Sequence, residues 1–220
     1  TTSTYTNPLK AIEFFKKTGV DALAISYGTM HGASKGKNVK LRRQIPIAIR
    51  ECMNHEGIEG GLVSHGSSTV PDYIVEEINA MGGHLKNAYG ISIVELKEAI
   101  SCGINKINVD TDIRLAVTRN MKELFRDHEE LRRSDSIGEI YHLLEANKDK
   151  FDPRVFLPPI MDTVMFGQIP DEDTAKIVSC VERGVKEVVG TLIVQFGSYG
   201  KAPFVDVKTL EEMKEFYKRK

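Results

Sequence analysis

His31 and His65 are the residues whose type and setting most directly suggest chemistry in this chain. Each directly precedes a glycine, in Gly28-Thr29-Met30-His31-Gly32 and in His65-Gly66-Ser67-Ser68, and each closes a mostly apolar run. Neutral imidazole is a common zinc ligand, and a catalytic zinc takes three protein ligands plus an open position. Two histidines on neighbouring strands could converge on one ion, but two alone leave such a site incomplete. The alternative is that each is a hydrogen-bonded loop histidine. His55, His84, His128 and His142 fall in helical or loop settings without partners and read as surface residues.

A second set could hold an anion. At Gly32, Gly66 and Ser68 the backbone can approach a phosphate closely, and N–H groups at the start of a following helix favour negative charge. Lys35 would add a point charge. The plainer alternative is that these glycines are turn residues. In Asn108-Val109-Asp110-Thr111-Asp112, alternation along a strand would place Asn108, Asp110 and Asp112 on one face. Asn108 could then bind a hydroxyl or an enolate-like oxygen, and Asp110 and Thr111 polar substrate groups. Thr111 or Asp112 could instead cap the next helix.

The elements that must position these residues are legible as apolar runs. Asp21–Tyr27, Leu62–Ser64 and Ile104–Ile107 read as strands, the first as a buried parallel strand. Successive strands with polar C-terminal ends mark a parallel α/β enzyme site. Asn7-Pro8 predicts a helix start and Thr18-Gly19 its end. Further helices are expected over Leu41–His55 (interrupted early by Pro46), from Pro71-Asp72 to Gly82-Gly83, over Val94–Ser101 and over Arg114–Phe125. Arg126–Ser136 reads as a solvated helix end or turn, and Phe151-Asp152-Pro153-Arg154 as a turn. Ile177, Val181, Val185, Val188 and Leu192 recur at helical spacing, which predicts an amphipathic helix over Asp171–Val194.

Composition narrows the partners. A net charge of -1, with no basic run interleaved with aromatics, gives no case for nucleic acid or an anionic membrane. No apolar stretch reaches the ~18 residues that suggest a membrane span. Cys52, Cys102 and Cys180 are scattered, without CxxC spacing, which argues for reduced thiols in the cytoplasm. Thr1-Thr2-Ser3-Thr4-Tyr5-Thr6 has neither an initiator Met nor a signal-peptide pattern and reads as a polar loop entered midway, so a fragment or processed product is expected. Three strands do not close a sheet, whereas a TIM barrel needs eight strands and typically ~250 residues. The chain is either a small open α/β domain or part of a barrel, and the chemistry at its strand ends favours the barrel.

With these motifs the chain resembles class II, zinc-dependent fructose-bisphosphate aldolases. The matching segments are Thr6-Asn7-Pro8, Thr18-Gly19-Val20-Asp21-Ala22-Leu23-Ala24, Gly28-Thr29-Met30-His31-Gly32, His65-Gly66-Ser67-Ser68 and Asn108-Val109-Asp110-Thr111-Asp112-Ile113-Arg114. Phe151-Asp152-Pro153-Arg154 and Phe196-Gly197-Ser198 are similar too. The resemblance implies an α/β fold that is the C-terminal part, about strands 6 to 8, of a TIM barrel with a helical C-terminal extension. Residues 1–125 would form the barrel units, and 126–220 the extension of the same domain, with subunit contacts.

The resemblance also implies roles. His31 and His65 would be two of three zinc-binding histidines. Gly32, Lys35, Gly66, Ser68, Asp110 and Thr111 would hold the phosphate of dihydroxyacetone phosphate, and Asn108 would act at the reacting carbons of the ketose. Arg114 would be a substrate-side basic residue, and Arg154 the arginine that reaches across a dimer interface to the second phosphate. A monovalent cation, Na+ or K+, would sit near the backbone of Gly32 and Gly66. The implied reaction is reversible aldol cleavage of fructose 1,6-bisphosphate to dihydroxyacetone phosphate and glyceraldehyde 3-phosphate, with zinc as Lewis acid, in glycolysis, gluconeogenesis or the Calvin cycle. The implied assembly is a homodimer or homotetramer. Alternatives are a tagatose-bisphosphate aldolase, or a half-barrel inactive without an upstream segment. Met30 replaces a usual serine, Ser34 a common aromatic or similar residue, and Ser67-Ser68-Thr69 the usual Gly-Ser-Gly. The stretch 126–150 and the tail after Gly167 are longer than expected. The family's catalytic aspartate, first zinc histidine and proton-removing acidic residue all lie before Thr1.

Overall fold

The computed structural model describes residues 5–31, 35–36 and 38–218. Three parallel strands, β1 (Ala22–Ala24), β2 (Gly61–Ser64) and β3 (Lys106–Ile107), form a sheet in the order β1-β2-β3. Leu23 pairs with Leu62 and Val63 with Lys106, so all three C-terminal ends open on the same edge. The helices are α1 (Pro8–Thr18), α2 (Gln44–His55), α3 (Asp72–Ala80), α4 (Ile93–Ser101), α5 (Thr111–Asp127), α6 (Gly138–Ala146), α7 (Pro158–Met165), α8 (Glu172–Gln195) and α9 (Leu210–Lys218).

Local chemistry explains several boundaries. Asn7 caps α1 by accepting from Leu9 and Lys10 N–H at 3.0 and 3.2 Å, and Gly19 ends it in the left-handed region at φ 63°. Pro46 does not interrupt α2. It sits in the first turn, where no backbone N–H partner is required, and it is buried. Arg126–Ser136 is, as expected, a largely exposed helix end, α5 closing at Asp127, except that a 3-10 segment at Glu129–Arg133 buries Leu131.

One cluster packs Phe15, Ile49, Met53, Leu62, Leu96 and Ile104 between the sheet and α1, α2 and α4. A second joins Met121 and Phe125 of α5 to Ile140, Leu144, Phe156, Ile177 and Cys180. A third sets Ile74 and Ile78 of α3 against Leu115 and Val188. Helix α5 takes part in two of them and packs most extensively on α8. There Gly184 permits close approach, because a Cβ would lie 3.0 Å from the Ala116 backbone. The expected division between residues 125 and 126 falls inside α5.

The sheet is covered unevenly. In β2, Leu62, Val63 and Ser64 are buried, whereas β1 leaves Ala22 and Ala24 exposed around a half-buried Leu23. The expected fully buried first strand is therefore buried on one face only, because Leu23 meets the helical cluster and nothing among the described residues packs over Ala22 and Ala24. Among the described residues no helix is long and apolar enough to cross a membrane, and all three cysteines are free.

Candidate functional site

The C-terminal strand ends open into a cleft of about 470 Å³. His31, His65, Gly66, Ser68, Asn108, Asp110, Thr111, Arg114 and Arg154 all line it, with Phe151 and Asp152 on its wall. Residues up to 123 positions apart in sequence thus meet in one place because three parallel strands end on one edge. Gly32 lies outside the described residues. Lys35 is buried and does not line the cleft; its amine donates to the Ser68 carbonyl at 2.9 Å, from within the protein.

The histidine rings lie with centroids 6.0 Å apart and their planes inclined at 47°. Two imidazoles sharing one tetrahedral ion need a separation of ~5 Å, so a small movement would let both reach it. Both side chains are exposed to the cleft. The Asn108 amide nitrogen lies 3.1 Å from Nε2 and 3.2 Å from Nδ1 of His65, so it can donate to one and leave the other for an ion. The donor chemistry fits a zinc or similar ion. The set is two imidazoles, and no group of three metal-ligating side chains occurs among the described residues. The four other histidines are exposed, as expected.

Backbone constraints bring β1 and β2 together at this point. Gly66 has φ 63°, and a Cβ on it would lie 2.6 Å from the Met30 carbonyl carbon and 3.0 Å from His31 N. A side chain there would separate the two histidines. Ser68 is nearly fully buried, and its Oγ accepts from Thr111 N–H at 3.1 Å and Asp110 N–H at 3.3 Å. It therefore caps the start of α5 and leaves its own hydrogen to donate. The dipole of this helix start, with the Ser68 hydroxyl free to donate, is suited to an anion.

Asp112 behaves differently from the sequence expectation. It does not share a face with Asn108 and Asp110, since β3 ends at Ile107 and α5 begins at Thr111, so helical geometry replaces alternation. Its buried carboxylate turns inward and accepts from Thr69 N–H (2.9 Å), Thr69 Oγ1 (2.8 Å) and Val70 N–H (2.8 Å). That clamp holds Val70 at φ 50°, a strained setting for a β-branched residue. Asp112 is neither a simple helix cap nor a cleft residue; it shapes the loop that carries Ser68.

On the opposite wall Asp152 organises the arginines. It pairs with Arg114 and, at 2.6 Å, with Arg154, while Asp110 pairs with Arg114 at 2.8 Å. The Arg154 hydrogen bond, joined by the Arg114 charge, holds the Asp152 carboxyl down at about 2. Arg154 faces its own chain's cleft, where Asp152 anchors it. Asp152 was not singled out from sequence, though Asp-Pro-Arg is a turn signal: its carboxylate accepts the Arg154 N–H at 3.1 Å. Gly90 was also missed. A Cβ there would lie 2.1 Å from the Thr69 carbonyl oxygen.

A sequence model of the family described as fructose-bisphosphate aldolase class-II matches residues 1–201. The chain belongs to the class II fructose-bisphosphate aldolase family. A fructose-bisphosphate aldolase of Xanthobacter flavus is 34% identical over 212 residues, covering 96% of this chain and 49% of the relative. One from Giardia intestinalis is 35% identical over 214 residues, with coverage of 97% and 53%. The chain thus spans about half the length of the curated relatives it matches. The crystal structure of a Campylobacter jejuni fructose-bisphosphate aldolase superposes with a TM-score of 0.51 at 18% identity, over 88% of this chain and 45% of that one. The chain therefore has an α/β aldolase fold, rich in helix around a small parallel sheet.

Proposed function

We propose that this chain forms the phosphate-binding and part of the metal-binding machinery of a fructose-bisphosphate aldolase. The reaction is reversible cleavage of fructose 1,6-bisphosphate to dihydroxyacetone phosphate and glyceraldehyde 3-phosphate. The observation that carries this reading is the single cleft that gathers two imidazoles, a helix start and two arginines. In this reading the three strands are about strands 6 to 8 of a TIM barrel. The exposed face of β1 supports that placement, since parallel sheets are ordinarily covered on both faces.

His31 and His65 would hold the ion, with a further ligand from outside the described residues. Zinc, when bound, supplies Lewis-acid polarisation of the substrate carbonyl. The chain's own groups bind and orient. Gly66, the Ser68 hydroxyl and the start of α5 at Asp110 and Thr111 would take the phosphate of dihydroxyacetone phosphate, with the Lys35 ammonium adding positive charge behind the loop. Gly66 would also offer backbone to a sodium or potassium ion. The Asn108 amide, beside His65, would contact the ketose near its reacting carbons. Arg114 and Arg154 would meet the second phosphate, for which a planar guanidinium fork is suited. Fixing both phosphates makes the reaction effectively intramolecular, which contributes much of the rate. A cytoplasmic homodimer or homotetramer completes the proposal, supported by Val189, Ile193 and Val194 left exposed on α8.

The test is zinc-dependent release of triose phosphate from fructose 1,6-bisphosphate by the protein that carries this chain, with tagatose 1,6-bisphosphate as comparison. His65→Ala should lower cleavage by about 100-fold or more and weaken zinc binding in step. Unchanged cleavage with zinc still bound would refute the ligand assignment, and a preference for tagatose 1,6-bisphosphate would refute the substrate.

A further inference from the structure

Beneath the two histidines runs a chain of buried hydroxyls. The Tyr27 phenol oxygen lies 2.5 Å from Ser64 Oγ, and Ser64 Oγ lies 2.6 Å from Ser67 Oγ. Ser67 Oγ donates to the His65 carbonyl at 3.3 Å. All three side chains are fully buried, and none lines the cleft. The last donation sets the direction of the others. Ser67 has given its one hydrogen and must accept from Ser64, and Ser64 must then accept from Tyr27. Burial pushes the Tyr27 phenol pKa up, which keeps its proton in place at the head of the chain. Hydrogen bonds aligned head to tail in this way polarise one another.

The chain joins the two strand ends that carry the histidines. Tyr27 follows β1 and precedes His31 by four residues, while Ser64 ends β2 and Ser67 lies just past His65. Close backbone approach at Gly66 sets how near the ends can come, but it does not fix the rotation of the His65 peptide. The terminal hydrogen bond does. Ser67 stands where the resemblance leads one to expect glycine, and Ser64 supplies the partner that its buried hydroxyl needs.

We infer that the Tyr27–Ser64–Ser67 chain is a positioning device that fixes the His65 peptide, and with it the imidazole, against His31. The inference rests on the metal-binding reading given above and adds residues that touch neither ion nor substrate. A merely structural role would make these residues matter for stability alone. A positioning role makes Tyr27, three hydrogen bonds away, matter to His65.

The experiment uses the protein that carries this chain, as wild type, Tyr27→Phe, Ser67→Ala and the double variant. In metal-free protein, the Gly66 amide and His65 ring resonances report the peptide and the imidazole. Zinc affinity is read by chelator competition. Tyr27→Phe keeps the shape and removes the first donor. It should shift both resonances and weaken zinc binding about tenfold, the lower end of what loss of an orienting partner costs a metal site. The double variant should be no worse than Ser67→Ala alone, because the hydroxyls act as one unit. Unmoved His65 and Gly66 resonances with unchanged zinc affinity would overturn the inference and leave the metal reading standing. So would fully additive losses. If no variant, wild type included, binds zinc while Tyr27→Phe still moves the His65 ring, the metal reading falls and the positioning role stands.

Discussion

Around the strand ends the buried side chains include Lys35, Ser64, Ser67, Ser68, Thr111 and Asp112, whereas across the α5–α8 contact they are chiefly Val117, Met121, Phe125, Ile177 and Cys180. The first region is held largely by directional bonds between named donors and acceptors, and by glycines where backbone meets backbone. The second is held chiefly by volume, with Asn120 donating to the Cys180 carbonyl at 3.1 Å and Arg119 pairing with Glu187 as polar ties between α5 and α8. A buried polar group without a partner costs ~1–3 kcal/mol, and a deleted apolar side chain costs its transfer energy plus a cavity. The costs are similar in size, but their consequences for ligand binding should differ. Damage at the strand ends should move ligand affinity and stability together, and damage in the helical layer should move stability alone.

Gly90→Ala should separate the two regions most widely. Its Cβ would lie 2.1 Å from the Thr69 carbonyl oxygen and 2.5 Å from that of Ser68, both backbone atoms. The Ser68 loop has to move, at a cost of about 4 kcal/mol, the upper range for a single substitution. Urea unfolding should show the loss, and inorganic phosphate affinity should fall at least about tenfold. Unfolding loss with phosphate affinity preserved would break the comparison.

Ile177→Ala is the matching test in the helical layer. Ile177 is fully buried against the α5 cluster, so truncation should cost about 3 kcal/mol. Zinc and phosphate affinities measured below the unfolding transition should stay within about twofold. A parallel fall in either affinity would show that the layers are not independent.

The two regions also differed in how far sequence revealed them. Helix α8 was legible almost to its ends, Glu172–Gln195 against an expected Asp171–Val194, because a repeating apolar stripe is the force that packs it. The three strand ends were legible as well, and the cleft brings together His31, His65, Gly66, Ser68, Asn108, Asp110 and Thr111 of the residues that motif and spacing singled out, but not Lys35 or Asp112. What escaped were partnerships. Asp112 was placed by strand alternation across a junction where the chain has already turned helical. Gly90 matters through Thr69, about 20 residues away, and Asp152 through Arg114, about 40 residues away, as well as through nearby Arg154; nothing in the local sequence names Thr69 or Arg114. Volume-driven packing leaves a periodic trace in sequence. Directional bonding between distant loops leaves none.

Asp112→Asn sharpens this within the polar region. The amide keeps the size of the carboxylate and one acceptor, but it turns a donor toward groups that already donate, Thr69 N–H, Thr69 Oγ1 and Val70 N–H. A loss of about 2 kcal/mol in urea unfolding is expected, with a several-fold drop in phosphate affinity as the Ser68 loop relaxes. If the loss matches that of Asp112→Ala, hydrogen bonding and not shape holds the loop; if Asp112→Asn costs almost nothing while Asp112→Ala does, shape holds it.

The smallest effect expected is also the most diagnostic of the polar region, because at Lys35 stability and affinity should respond to pH in opposite directions. Burial pushes the Lys35 amine down to about 8, with Asp112 pulling the other way. An unfolded lysine titrates near ~10.4. Between these values the unfolded chain holds a proton that the folded amine has released, so stability rises with pH across the window. Anion binding depends on the charged amine and should weaken over the same range. From pH 7 to 9 the phosphate affinity of wild type should fall a few-fold relative to Lys35→Met, a comparison that cancels the titration of phosphate itself. Parallel profiles for the two proteins would show that the amine supports the loop through its hydrogen bond to Ser68 without lending charge to the cleft. In the helical layer burial also pushes the Lys122 amine down, so stability there should rise with pH too, but Lys122 does not line the cleft and ligand affinity should not move against it.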